Sequence, residues 1–296
     1  MIESVQNPWV KKAVSLHQAK GRKEAGLILV EGPHAVQEAL GLQAVKHGFV
    51  LDKLFLVEGQ TLFILNLSEE TLDHCSNRLE WVTSVVMKKM TTTETPPPVV
   101  GLFRFEKTPP ENRLKTILTK MKEAAAPPCW VILDRLQDPG NVGTIIRSAL
   151  AFGATGVMTT QNTVDVYSPK VIRSSTGLVF TCSVVDSDLT LKDLVERVLL
   201  PAGLQVYAGV GHADTPEYRL ADFTKPTALI FGQEGTGVEA SVLDQQEALQ
   251  IQGIRIPMEN GVESLNVSIS AAVILAEVQT QRTRVVASGP LSLENG

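Results

Sequence analysis

Phe231-Gly232-Gln233-Glu234-Gly235-Thr236-Gly237 closes an apolar strand pattern at 227–231 and opens a helical pattern at 238–246. Strand, glycine-rich turn and helix in that order imply a ligand-facing loop, because glycine lets backbone approach a bound group and supplies positive φ. Working outward, strand patterns recur at 130–136, 156–160, 179–185, 205–210 and 249–257, and helical patterns at 142–152, 169–175, 189–200 and 266–282. Strands alternating with helices predict an α/β fold whose parallel sheet is covered on both faces. The first turn of this region reads Gln137-Asp138-Pro139-Gly140-Asn141-Val142-Gly143, which lacks the GxGxxG spacing of a dinucleotide fold, so the ligand site is built another way.

Three blocks stand in order: Asp138-Pro139-Gly140-Asn141-Val142-Gly143-Thr144-Ile145-Ile146-Arg147-Ser148-Ala149; the glycine turn followed by Ile256-Pro257-Met258; and Glu263-Ser264-Leu265-Asn266-Val267-Ser268. Together they resemble the motifs of the SpoU-type (TrmH-like) RNA ribose 2′-O-methyltransferases of the SPOUT superfamily. The resemblance implies S-adenosyl-L-methionine as cofactor, a C-terminal deep trefoil knot, and a homodimer in which the final helix lies beside a two-fold interface. Knots are rare in proteins, and nothing but the resemblance suggests one. The run Val267, Ile269, Ala271, Ala272, Ile274 and Leu275 is too broadly apolar for one narrow core stripe, which fits an interface or a doubly packed helix.

The resemblance places Arg147, Asn141, Glu234, Asn266 and Ser268 in the catalytic site, and Gly232, Ile256, Met258 and Leu265 around the cofactor. Asn141 is also of the type that caps a helix, and Asn266 and Ser268 are good capping residues at the start of the final one. Glu234 orients Arg147 or Asn266, or else sits as a carboxylate at the start of the next helix. Ile256, Met258 and Leu265, taken alone, would read as core residues. A guanidinium stays protonated in proteins, so Arg147 fits a clamp on phosphate or ribose that stabilises the developing alkoxide better than it fits a base. The acceptor of the hydroxyl proton stays open. Methyl transfer to a ribose hydroxyl needs no metal, and no His/Cys/carboxylate cluster suggests one.

Residues 1–105 alternate helix and strand patterns: helices at 5–19, 31–46 and from about 68 and 84, strands at 27–30, 54–57, 62–65, 81–86 and 99–105. This part resembles the small RNA-binding domain, related to kink-turn-binding ribosomal proteins, that precedes the catalytic domain in many such enzymes. The step Leu29-Val30-Glu31-Gly32 with Val36 and Glu38-Ala39-Leu40 carries that resemblance. Between Ser4 and Lys23 lie Lys11, Lys12, Lys20, Arg22 and Lys23 with no acidic residue, and Lys11, Lys12, Arg22 and Lys23 are candidate phosphate contacts. The bland reading is an ordinary solvated helix. Lys170 and Arg173, behind Ser168-Pro169, either face RNA or are solvated.

Four prolines and a helical pattern at 112–125 mark 106–128 as a linker; 129–285 is then the catalytic domain and 286–296 a flexible tail. The 296 residues carry a net charge of −5, which excludes nucleic-acid binding by bulk charge while allowing a local basic patch. Scattered Cys75, Cys129 and Cys182 predict reduced thiols without a disulfide framework or structural zinc. No secretory pattern and no apolar stretch of membrane-spanning length stand out, so a cytoplasmic, membrane-free protein is expected. The expected activity is 2′-O-methylation of ribosomal RNA of the 23S type, favoured by the separate RNA-binding domain. Transfer RNA, a non-catalytic RNA-binding or ribosome-assembly role and a small-molecule methyltransferase are the rivals.

Overall fold

The computed structural model describes residues 1–105, 126–210, 214–233, 237–238, 244–259, 262 and 264–287. The expected helices at 112–125 and 238–246 and the tail at 288–296 lie wholly or largely outside these residues. The chain forms two compact units: Met1–Thr108 with Val164–Ser183, and Pro109–Thr163 with Val184–Gly296.

The first unit is a four-stranded sheet. β1 (Leu27–Glu31) pairs antiparallel with β4 (Val99–Phe105), which pairs antiparallel with β2 (Phe49–Val57), and β3 (Leu79–Val82) runs parallel to β2 at the other edge. All five residues of β1 are buried, so both faces are covered. On one face Leu27, Leu29, Phe55, Val82, Val100 and Leu102 pack with Val10 and Ala13 of α1 (Pro8–Ser15), with Leu16 just after it, and with Val86, Met87 and Met90 of α6 (Ser84–Met90). Burying side chains of this size stabilises the unit by about 1.5–3 kcal/mol each.

The helix expected over 5–19 is the shorter α1, and an unexpected helix, α2 (Ala19–Ala25), follows it. The break is tight. A Cβ on Gly21 would sit 2.0 Å from the Ser15 carbonyl oxygen, so the turn of chain between them needs glycine. The helix expected over 31–46 is two, α3 (Pro33–Leu40) and α4 (Leu42–Lys46), because Gly41 between them is extended (φ −67°, ψ 157°). Glu31 belongs to β1 instead. Residues Leu62–Leu65, expected as a strand, form a 3₁₀ turn stopped by the left-handed Asn66 (φ 44°). A four-residue apolar run cannot by itself distinguish the two. α5 (Glu69–Ser76) starts behind Ser68, whose hydroxyl accepts from Thr71 N.

The segment Val164–Ser183, by sequence a stretch between two strands of the other unit, packs here. Gly177 (φ +83°) brings it so close to α3 that a Cβ would lie 2.8 Å from Ala35 Cα. Phe180 is fully buried and meets Phe49 edge-on at 4.9 Å, and Tyr167 meets Phe49 at 5.6 Å and Phe105 at 4.9 Å. The strand expected over 179–185 therefore reduces to β7 (Val184–Asp186); Leu178–Phe180 is a 3₁₀ turn that anchors the segment.

The second unit holds a six-stranded, wholly parallel sheet in the order β10-β8-β9-β5-β6-β7. Its remaining strands are β5 (Cys129–Leu133), β6 (Gly156–Thr159), β8 (Gln205–Gly209), β9 (Thr227–Phe231) and β10 (Ile251–Ile254). β5, β6 and β9 are buried at every position, as a parallel sheet requires. α7 (Pro139–Ala151) follows β5, and the final helix of the described chain, Val267–Ala287, packs against it. That final helix buries Val267, Ala271, Ile274, Leu275 and Val278, one stripe at helical spacing, while Ile269 stays 51% exposed. Near its end Arg282 donates to the carbonyls of Phe223, Pro127, Pro128 and Lys225, which fixes the helix to the chain leading into β5. All three cysteines are free and buried. No described helix is long and apolar enough to cross a membrane.

Candidate active site

Three loops at the carboxyl ends of β8, β9 and β10 surround a cleft of about 650 Å3 in the second unit. Ligands in open parallel sheets gather at these strand ends. Its walls are Gly209 and Val210, Phe231 to Gln233 with Gly237, Ile254, Ile256 and Met258, and the run Ser264 to Val267 with Ser270 and Ile274. Gly232, Ile256, Met258 and Leu265, expected at the cofactor, all line this one cleft.

Each loop has its own local cause. A Cβ on Gly232 would lie 2.2 Å from the backbone of Gly237 and Val238, because the loop turns back on itself: Gly237 N donates to Gln233 O at 2.7 Å. Glycine at 232 is thus demanded by the loop itself. Gly237 takes φ +70° to close the turn. Ile256 follows Arg255, whose Nε donates to the Thr215 carbonyl at 2.8 Å and whose backbone exchanges hydrogen bonds with Pro216 and Tyr218.

Asn266 connects the cleft to α7. Its Oδ1 accepts from Ser268 N at 2.9 Å and from Ser268 Oγ at 2.6 Å, so it caps the final helix, and its Nδ2 donates to Asn141 Oδ1 at 3.0 Å. Ser268 is 6% exposed, and its side chain is bonded to Asn266. Asn141 is not the cap of its helix. That position belongs to Asp138, whose carboxylate accepts from Asn141 N at 2.9 Å, with Pro139 in the first turn. Gly140 makes room for it, since a Cβ there would stand 2.7 Å from Asp138 Oδ1. Relieved of capping, the Asn141 side chain reaches across to Asn266.

Arg147 lies on α7 about 9 Å further along the axis than Asn141, and is exposed. Among the described residues no hydrogen bond or ion pair holds its guanidinium. Long helical side chains lean toward the N-terminus, which here carries Asn141. Glu234 lies outside the described residues.

Of the residues expected to meet RNA, Lys11, Lys12 and Lys23 are exposed in the first unit. Arg22 is not on that surface: it is 7% exposed, and its guanidinium binds Asp165 at 2.6 Å and the carbonyls of Leu16 and His17. Arg173 faces Glu31 at 3.1 Å and Thr92 Oγ1 at 2.6 Å, while Glu31, 6% exposed, also accepts from Thr92 N and Oγ1. Charge alone could not separate these buried pairs from the solvated lysines. Lys170 is exposed on α8 (Pro169–Ser174).

Gly209 was missed in the sequence. A Cβ there would meet Ile230 O and Phe231 at ordinary distances of 3.8 Å and its φ is not positive, so packing does not demand glycine although the residue lines the cleft. A glycine at a strand end, signalling close approach of a ligand, was the available clue. Asp138 before Pro139 was a legible cap signal of the same kind.

The description "SpoU rRNA Methylase family" matches residues 128–276, half of the chain. The chain belongs to that family. An MRM3-like substrate binding domain matches residues 7–101. An uncharacterized tRNA/rRNA methyltransferase of Synechocystis sp. is 35% identical over 95% of this chain and 94% of its own length. The 23S rRNA (guanosine(2553)-2′-O)-methyltransferase RlmP of Bacillus subtilis is 32% identical over 93% of this chain and 97% of its own. The crystal structure of an AdoMet-bound rRNA methyltransferase from Sinorhizobium meliloti superposes with a TM-score of 0.74 at 28% identity, covering 94% of this chain and 97% of that one. The cleft described above thus belongs to a SpoU methylase domain, and the exposed lysines 11, 12 and 23 to its substrate-binding companion.

Proposed function

We propose that this chain is an S-adenosyl-L-methionine-dependent ribose 2′-O-methyltransferase of ribosomal RNA, of the 23S type. The observation that carries it is the cleft at the ends of β8, β9 and β10, joined through Asn266 and Asn141 to the helix that bears Arg147. Its fit to the cofactor rests on size and chemistry: about 650 Å3, backbone at Gly209 and Gly232 for the polar edge of a base, and apolar Ile256, Met258 and Leu265 for its faces. When bound there, S-adenosylmethionine supplies an electrophilic methyl group on a sulfonium. The chain's own residues do the rest. Asn266 and Asn141 fix the loop beside the cleft, and Arg147 clamps the substrate's phosphate or ribose and stabilises the developing alkoxide. The relatives named as 23S rRNA enzymes, and a substrate-binding domain with exposed Lys11, Lys12 and Lys23, favour ribosomal over transfer RNA.

The same reading has residues 1–105 bind RNA and 129–285 catalyse, with 106–128 joining them and 286–296 as a flexible tail. Lys170 adds a contact to RNA. Glu234 orients Arg147 or Asn266. The final segment passes through a deep trefoil knot, as in the SPOUT superfamily, and two copies associate through the final helix. Exposed Ile269 and Leu265 beside the cleft support that association. The enzyme works in the cytoplasm.

Methyl-labelled S-adenosylmethionine incubated separately with unmodified 23S, 16S and transfer RNA, followed by mapping of ribose methylation, tests the proposal. One labelled ribose in 23S RNA is expected. Label on transfer RNA alone moves the substrate, and cofactor binding with no transfer to any of the three contradicts the enzyme.

A further inference from the structure

In the first unit, on the sheet face opposite α1 and α6, Gln60, Thr61, Leu62, Phe63, Leu72, Leu79 and Trp81 enclose a second hollow of about 340 Å3. It takes no part in the site described above. Phe63 is 83% exposed and Trp81 37% exposed, an unusual outlay of aromatic surface for a chain with only 5% aromatic residues. Exposed aromatics lining a groove mark a binding surface, because such area is costly to leave in water and contributes heavily when covered.

The surrounding charge selects the occupant. Glu58, Glu69, Glu70 and Asp73, all exposed, stand on the elements that form the hollow. Between residues 57 and 82 the one Lys or Arg is Arg78, and its guanidinium is turned onto the His74 carbonyl at 3.3 Å. Lys53 is drawn to the other face, where it meets Glu80 and the Trp9 ring. A phosphate backbone is repelled by negative charge on these elements. A cationic polypeptide is attracted to it, and one apolar side chain of that polypeptide would fill the hollow.

We propose that this groove docks a lysine- and arginine-rich protein segment bearing an apolar anchor residue, of the kind that accompanies ribosomal RNA in a ribonucleoprotein particle. The inference rests on the ribosomal-RNA reading above. The enzyme then holds its substrate particle by RNA on the basic lysines and by protein on the acidic groove. Both faces belong to the same unit.

The test compares Phe63→Ser and Glu69→Lys/Glu70→Lys with the wild type on two substrates: protein-free 23S RNA, and large-subunit particles that lack the modification. Phe63 is so exposed that its loss leaves the core intact, which a melting curve checks. The proposal expects unchanged kcat/KM on free RNA and a loss of about tenfold on particles. An equal loss on free RNA would place a nucleotide in the groove, and no loss on either substrate would leave it without a docking role; both overturn the proposal. If the wild type methylates neither substrate, the ribosomal reading fails separately. Trp81 fluorescence on titration with a synthetic peptide of repeated Lys-Lys-Leu then decides: a salt-sensitive change abolished by Phe63→Ser supports the groove, and no change sinks it.

Discussion

In the first unit two arginines, Arg22 and Arg173, face carboxylates at 2.6 and 3.1 Å, and in each pair one partner is withdrawn from water, Arg22 in the first and Glu31 in the second. The cleft of the second unit is walled by backbone, apolar side chains and uncharged polar ones such as Gln233 and Asn266, and Arg147, on the helix whose Asn141 bonds to Asn266, is held by no described residue. The same residue type therefore does two jobs. Where a guanidinium is spent on a carboxylate in a pair with one buried partner, it fixes the fold and is lost to RNA. Where helix and loops are fixed by a capping carboxylate bonded to backbone and by neutral amides, a guanidinium stays available to a substrate. Asp138, Asn141 and Asn266 provide the order in the second unit that ion pairs provide in the first.

Breaking the first half of the contrast should have the largest effect. Asp165→Ala leaves Arg22 at 7% exposure without its counter-charge, at a cost of about 3 kcal/mol in denaturant unfolding, and Arg22→Met/Asp165→Ala should recover most of it. Equal stability of wild type and Asp165→Ala would mean that the pair is not structural. Arg147→Ala should lower methyl transfer by about 10²-fold while leaving the melting temperature unchanged, since the side chain is exposed. A drop in stability instead would make it another fold-fixing arginine. Asn266→Ala removes a cap and the bond to Asn141 and should cost about 1 kcal/mol. Asn266→Asp keeps the cap but not the donor, so a loss of turnover at near-normal stability would separate the two roles.

The last effect is absent at neutral pH and emerges only in alkali. Burial pushes the Cys129 thiol up to about 11, against an opposing pull from Arg282. The folded pKa exceeds the unfolded one, so the unfolded chain gives up this proton first. Stability contributed here is whole below about pH 9 and falls as pH climbs toward 11. Cys129→Ala should flatten that decline in urea midpoints measured from pH 8 to 11. An unchanged slope would assign the decline to other groups.

The parallel sheet was legible because its signals are local, and the cleft because its short motifs resemble those of a known family. Apolar runs of strand length alternate with helical patterns, and Gly232, Ile256, Met258 and Leu265 sit in short motifs that line one cleft. The path of Val164–Ser183 was not legible. Phe180 looked like a strand residue of the second sheet, and only its meeting with Phe49, more than a hundred residues earlier, assigns it to the first unit. A truncation at residue 105 would accordingly strip Tyr167, Phe180, Arg173 and Asp165 of their partners and damage more than RNA binding. The single long helix expected over 31–46 failed where one glycine decided it, at Gly41. Asn141 was read as a cap since it is a capping type, but Asp138 ahead of Pro139 holds that place.

The account stands on the cleft as the cofactor site, with Arg147 reserved for the substrate. Calorimetric titration of S-adenosylmethionine into wild type, Arg147→Ala and Gly209→Val tests this most directly. Gly209 can be replaced without a backbone clash, and valine there would take up room in the cleft. The account predicts equal affinity for wild type and Arg147→Ala and a loss of about tenfold or more for Gly209→Val. Undiminished binding by Gly209→Val, or an equal loss in Arg147→Ala, would contradict it.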